Sequence, residues 1–241
     1  MLRECERIDD LHRDGLKIIQ NPGSFCFGMD AVLLSAFAKV HQNQRALDLC
    51  CGNGIVPILL SAKTCGEFFA GLDVQEYAVD MAKRSVGLNG LNHKINIICG
   101  DLRDKSVLPA ASFNVITCNP PYMAKNDGKI SPDPTIAIAK HEIMCDLDDI
   151  MAAAKHWLVP RGKFYMVHRP QRLSDIFLAM DRYGLAPKVL RFVQSKANNP
   201  PNLVLISASK GGGAQLKVEA PLIIYSEDGK YTADVGEMYY G

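Results

Sequence analysis

Residues 46–60 read ALDLCCGNGIVPILL. A short apolar run leads into a turn carrying Gly52 and Gly54, and a second apolar run follows with the length of a helix. That order is a strand, a tight turn and a helix start, the repeating unit of an α/β domain. Further strand-like runs follow at 68–74 (FFAGLDV), 95–100 (INIICG), 113–118 (FNVITC), 163–168 (KFYMVH), 189–193 (VLRFV) and 203–209 (LVLISAS). Amphipathic stretches near 54–64, 76–89, 148–158 and 172–183 read as helices between them.

Continuous apolar strands separated by helices imply a mostly parallel sheet covered on both faces. The last two strands are joined only by QSKANNPPN (194–202), too short for a crossover helix, so they pair antiparallel. The expected architecture is α/β: a Rossmann-like seven-stranded sheet with an antiparallel final strand and helices on both faces. It forms one domain over residues 1–241, with 1–44 as an N-terminal extension and 45–241 as the core. In the extension, GLKIIQN and SFCFG (15–28) read as a hairpin, and MDAVLLSAFAKV (29–40) as a helix with Asp30 near its N-cap.

The 241 residues are 48% hydrophobic with a mean hydropathy near zero, an ordinary globular composition. The charged start MLRECERIDDLHRDG does not resemble a secretory leader. The longest apolar runs are too short to span a bilayer. Eight cysteines show no CxxC pair, which argues against a zinc ribbon or redox motif. Most sit in apolar stretches and read as buried thiols of a reducing compartment, so a cytoplasmic protein without metal or membrane is expected. Net charge is only +1, yet residues 121–210 hold 13 Lys and Arg against 8 Asp and Glu. Such an excess is either solvated surface or the place where an anion docks.

Ligands of open α/β sheets bind beyond the carboxyl ends of the strands. Three acids end successive strands here: Asp48, Asp73 and Asp101. The glycine loop between Asp48 and the next helix, with Cys51, Gly52, Asn53 and Gly54, lets backbone approach a ligand closely. Asp48 either braces that loop by accepting backbone N–H groups or reaches a cationic ligand group. Asp73 follows the glycines by about twenty residues, the spacing at which a carboxylate meets ribose hydroxyls. Asp101, beside Leu102, is placed to accept from an adenine amino group. Each acid taken alone is an ordinary strand end or helix cap. A dinucleotide fits poorly, because the third glycine of its fingerprint is missing after Gly54. S-adenosylmethionine, a sulfonium with an ammonium and a ribose but no pyrophosphate, suits the acids better.

After the fourth strand comes Asn119-Pro120-Pro121-Tyr122. Proline pairs often make a merely rigid turn. The alternative is chemical. Each proline fixes its own φ, removes an N–H and holds the preceding residue extended. What remains is a stiff segment offering acceptors without competing donors. The Asn119 oxygen and the Pro120 carbonyl can each take one hydrogen of a planar amino group, and Tyr122 can stack on the ring that carries it.

LDLCCGNG, GLDVQ, CGDLRD and NPPY, in this order, resemble the class I S-adenosylmethionine-dependent methyltransferases that modify amino nitrogens. IQNPGSFCFGMDAVLLSAFA, KHEIMCDLDDIM, FYMVHRPQRLSDI and PLIIYSEDGKYT are similar to the bacterial tRNA1(Val) adenine-N6 methyltransferases. The resemblance runs over nearly the whole chain. It implies tRNA as partner, Asp73 on the cofactor ribose, Asp101 on its adenine, and Phe27, Gly28 and Asp30 at its methionine end. Asn119, Pro120 and Tyr122 would then hold the target base, with Pro121 beside it. Cys50 departs from the pattern, where most class I enzymes have a first glycine, so positive φ is expected at Gly52 and Gly54 only. A protein-glutamine or DNA amino-group methyltransferase, or an RNA-associated factor without turnover, are the competing readings. A monomer or weak dimer is expected.

The polar segment MAKNDGKISPDP (123–134) has the character of a lid, and Lys125, Lys129 and Lys140 would place positive charge beside the pocket. His141 and Glu142 read equally as a helix cap or as catalytic groups. Arg169, at the end of the 163–168 strand, either contacts phosphate or anchors the next helix. Trp157 reads as a packing residue of a helix face.

Overall fold

The structure, a computed structural model, describes residues 2–23, 26–122 and 145–240. Lys125, Lys129, Lys140, His141 and Glu142 lie outside the described residues.

Two antiparallel strands, β1 (Arg7–Asp10) and β2 (Lys17–Gln20), open the chain. The hairpin thus lies earlier than its apolar arm suggested, because charged β1 faces solvent and only β2 is buried. Arg84 fixes it to the core, donating to both Glu6 carboxylate oxygens at 2.7 and 2.6 Å. Helix α1 (Met29–Phe37) follows, and the units β3 (Arg45–Leu49), α2 (Ile55–Lys63), β4 (Phe68–Asp73), α3 (Glu76–Leu88), β5 (Ile95–Cys99) and β6 (Phe113–Cys118) build the parallel half of the sheet. The second half comprises α4 (Leu147–Trp157), β7 (Leu158–His168), α5 (Leu173–Arg182), β8 (Leu185–Gln194), β9 (Leu203–Lys210) and β10 (Lys217–Ile223), with α6 (Ala233–Tyr240) at the end.

The sheet has eight strands in the order β10-β8-β9-β7-β6-β3-β4-β5. Only β9 runs against its neighbours, pairing antiparallel with both β7 and β8, as the short link before it requires. The strand beyond the expected seven is β10, parallel to β8 at the sheet's edge. Its sequence, KVEAPLI, is largely exposed and contains Pro221, a combination that an edge tolerates and that hides the strand from an apolar pattern.

Alternation along the strands sends Val115, Tyr165, Val167 and Leu205 into one apolar layer with α1 and α2. Ile116, Phe164, Met166 and Ile206 enter the other with α4 and α5. Trp157 is fully buried there and donates its indole N–H to the Leu108 carbonyl at 3.1 Å. The cysteines do not follow expectation. Cys51, Cys118 and Cys145 are buried, but Cys5, Cys65 and Cys99 are exposed, because at strand ends and turns a neighbouring apolar run does not enclose the thiol. Among the described residues no helix is long and apolar enough to cross a membrane.

Candidate active site

Strands β3, β4, β5, β6 and β7 end at the same edge of the sheet, and a cavity of about 570 Å³ opens there, within the range that holds a small cofactor. It is lined by Phe27, Gly28 and Asp30 from the extension and α1, by Asp48, Cys51, Gly52 and Asn53 around the glycine loop, and by Asp73, Asp101 and Leu102. Asn119, Pro120, Pro121, Tyr122 and Arg169 complete the wall. Gly54 stands behind it. Gly54 caps α2 at φ 83°, and a Cβ there would sit 3.0 Å from the Ala82 Cβ of α3, so the residue serves the turn and the close helix approach.

The loop turns more sharply than expected. Cys50 takes φ 57° in addition to Gly52 at 52° and Gly54 at 83°, so the left-handed position persists although the glycine does not. A non-glycine residue there carries strain of order 1–3 kcal/mol, maintained by the surrounding packing. The Cys50 Sγ lies 3.9 Å from that of Cys145.

The acids divide their work differently from the simplest reading. The loop brace is Asp73, not Asp48: Asp73 Oδ2 accepts from the Gly52 N–H at 2.8 Å and Oδ1 from the Gln75 N–H at 3.0 Å. Asp48 is turned toward β6, accepting from the Thr117 hydroxyl at 2.6 Å. Burial pushes its carboxyl up to about 8, with the neighbouring Asp73 charge adding to the effect. Asp48 is therefore mainly protonated at neutral pH. Burial also raises Asp73, opposed by its two backbone donors. Asp101 is more open, and the Arg103 guanidinium beside it lowers its carboxyl.

Tyr122 joins the two ends of the cavity. Its hydroxyl lies 2.5 Å from Asp30 Oδ2 and 2.5 Å from Asn119 Oδ1. A phenol has one hydrogen, so it donates to one of these acceptors at a time. Burial, then the Asp30 carboxylate, raise the phenol well above its ordinary range and keep it a neutral donor. The Arg169 guanidinium stands 5.0 Å from the ring centre, and the His168 ring meets its edge at 5.3 Å. Arg169 also donates to the Asn202 carbonyl at 3.0 Å, so it both anchors β9 and borders the cavity.

His168 is fully buried, and its Nδ1 accepts from the Arg169 N–H at 2.8 Å. Burial, then the Arg172 charge, lower the imidazole to about 4. The unfolded ring titrates near 6.5, so between pH 6.5 and 4 the unfolded chain binds more protons and stability falls as the pH falls. The full effect, on the order of 3 kcal/mol, is reached below pH 4. A His168→Asn variant is expected to lose less stability than the parent between pH 6.5 and 4 in urea melts. Parallel pH profiles would contradict this assignment.

The lining has residues that sequence reasoning missed. Tyr77, Ala78 and Met81 of α3 face the cavity, and their helical spacing alone does not tell a cavity wall from ordinary core. Cys26, Gln75 and Cys145 carried no distinguishing signal. One detail bears on the ligand: the Asn53 Nδ2 is buried, borders the cavity and has no hydrogen-bond partner among the described residues. An unpaired buried donor beside four aspartates and a single arginine suits a ligand with hydroxyl and carboxylate acceptors plus a cationic centre. S-adenosylmethionine has that set of groups. A pyrophosphate would meet mostly acids.

The fold is that of the Rossmann-like methyltransferases. Protein Atu636 from Agrobacterium tumefaciens, described as a predicted O-methyltransferase, superposes with a TM-score of 0.72 at 21% identity, covering 88% of this chain and 95% of its own. The family model described as methyltransferase small domain matches residues 15–180, and the chain belongs to that family. It is 28% identical over 206 residues to the tRNA1(Val) (adenine(37)-N6)-methyltransferase of Aeromonas salmonicida, covering 85% of this chain and 84% of the relative. The protein of the same name from Phocaeicola vulgatus is 29% identical over 217 residues, covering 88% and 89%.

Proposed function

We propose that the protein moves the methyl group of S-adenosylmethionine to the exocyclic N6 of an adenine in tRNA, the adenine beside the anticodon of a valine tRNA. The observation that carries this reading is the place of Asn119: it borders the same cavity as Gly52 and Asp73, at the end of the strand next to β3. The relatives' names supply the tRNA and the base. Such a substrate assigns the work to the cytoplasm.

When bound, the cofactor supplies an electrophilic methyl on a sulfonium. The chain's own residues do the rest. Asp73 holds the ribose and Asp101 the cofactor adenine, while Phe27, Gly28 and Asp30 close the methionine end, so residues 1–44 serve the same catalytic unit as 45–241. Asn119 and the Pro120 carbonyl each accept one hydrogen of the target amino group, orienting its lone pair toward the sulfonium. Tyr122 and Pro121 hold the base, which must leave its stack. Anticodon loops offer bases already splayed. No strong base is needed, since the amino proton becomes acidic only once the new N–C bond has formed at the expense of the S–C bond, and it can then pass to solvent water. Most of the rate then comes from alignment.

The test is transfer of tritiated methyl into total tRNA from cells lacking the gene, followed by nucleoside analysis. Label in N6-methyladenosine is expected. Label in protein glutamine, or none in tRNA, would reject the assignment.

A further inference from the structure

Part of the positive charge of residues 121–210 lies away from the cavity, among the described residues from the start of α4 at Leu147 onward. Lys155 lies in the last turn of α4, Arg161 in the first half of β7 and Lys163 at its middle, Lys188 in the first half of β8, and Lys210 at the end of antiparallel β9. Because β8, β9 and β7 are adjacent, the backbone positions of all five cations lie toward the strand-end edge of the sheet opposite the cavity. Ser209, next to Lys210, pairs with Lys163, and Lys210 pairs with Leu185. The Lys210 ammonium donates to the Leu158 carbonyl at 2.6 Å, one turn from Lys155, and burial, then the Lys155 charge, lower the Lys210 ammonium. Strands lie about 4.8 Å apart, less than the roughly 8 Å over which physiological salt screens a charge, so these fields add.

Structural explanations account for part of the cluster. A lysine in the last turn of α4 complements the helix dipole, which covers Lys155. Lysines also blunt exposed sheet edges. That reason fails here, because β7, β8 and β9 are interior strands and the edges are β10 and β5. Among the described residues none of the five cations is ion-paired, whereas Arg172 and Arg182 of the same stretch pair with Asp175 and Asp148. Lys155, Arg161 and Lys163 are exposed. The acids of α4, Asp148 and Asp149, lie in its first turn, at the opposite end of the helix from Lys155.

We propose that this edge is a second RNA-binding surface, which grips backbone phosphates of the same tRNA whose target adenine enters the cavity. The proposal rests on the tRNA reading above. Along β7 the six residues from Lys163 to His168 span roughly 17 Å, so the two binding regions are separated by more than a single unpaired base can bridge. A folded RNA arm spans that distance, and its A-form backbone is recognised through phosphates and shape. The surface therefore selects folded tRNA over a short single strand carrying the same adenine.

A Lys155→Glu/Lys163→Glu variant tests this, since neither side chain makes a described hydrogen bond on which folding depends. Affinity for an unmodified tRNA transcript is expected to fall tenfold or more at low salt. The slope of log affinity against log salt should flatten by about 0.7–0.9 for each phosphate that the variant no longer neutralises. Affinity for S-adenosylhomocysteine, and methyl transfer to a short adenine-bearing oligonucleotide, should stay unchanged. The neutral Lys155→Gln/Lys163→Gln variant should lose affinity in the same direction by a smaller factor. Unchanged tRNA affinity and slope, in a protein whose parent binds and methylates tRNA, would overturn this surface and leave the proposed activity standing. A parent protein that binds no tRNA would overturn both.

Discussion

Asn119→Ala is expected to lower the rate constant for methyl transfer by about 10²–10³-fold, the usual effect of deleting one hydrogen-bonding group aimed at the reacting atom. Affinity for S-adenosylhomocysteine should change little, because the Asn119 side chain touches Tyr122 rather than the glycine loop. Single-turnover rates with saturating tRNA, together with calorimetric titration, separate the two quantities. The alanine also removes an acceptor of the Tyr122 hydroxyl, so the fall in rate has a second source to separate. Tyr122→Phe isolates it. That variant keeps the ring, and with it the packing against Arg169 and His168, while deleting only the hydroxyl. A fall under tenfold for Tyr122→Phe beside the larger fall for Asn119→Ala would assign the effect to the amide's grip on the amino group. Equal falls would mean that Asn119 acts only by holding Tyr122, and the proposed chemistry would lose its central residue.

The sequence makes this part of the site readable because its chemistry is local. Two prolines after an asparagine constrain the backbone wherever the chain places them, and a strand ahead of them puts them at the sheet's rim. The glycine turn is local in the same way. What escaped depends on direction or on distance along the chain. Cys50 occupies a left-handed position that its side chain gives no hint of. Asp48 and Asp73 both end strands, but which one braces the loop follows from how each carboxylate points once β6 lies against β3. Arg169 meets a tyrosine 47 residues earlier, an approach made only when β7 pairs with β6. The basic edge is hidden for the same reason: its five residues come from four elements, and only the total charge of the segment announced them.

Asp73 and Asp48 look interchangeable as acids at strand ends, yet replacing each by asparagine should have consequences of very different size. Asp73→Asn keeps the size but replaces one oxygen by an amino group. Each Asp73 oxygen already accepts from a backbone N–H, Gly52 on one side and Gln75 on the other. Whichever way the amide turns, one of those donors then faces another donor, and the loop beneath the cofactor loses a tether. The grip on the ribose hydroxyls weakens at the same time. Hydrogen bonds to a charged acceptor contribute about 1.5–3 kcal/mol each, so affinity for S-adenosylhomocysteine should fall roughly 10²-fold. Asp48→Asn removes little charge at pH 7, because burial already keeps most of that carboxyl protonated, and its oxygen can still accept from Thr117. Its affinity should stay within about threefold of the parent, far from the Asp73 variant on the scale where about 1.4 kcal/mol is tenfold. Calorimetric titrations of the two variants in one buffer provide the comparison. Should Asp48→Asn prove the more damaging, the charge that meets the ligand resides on Asp48, and the ribose must be held elsewhere.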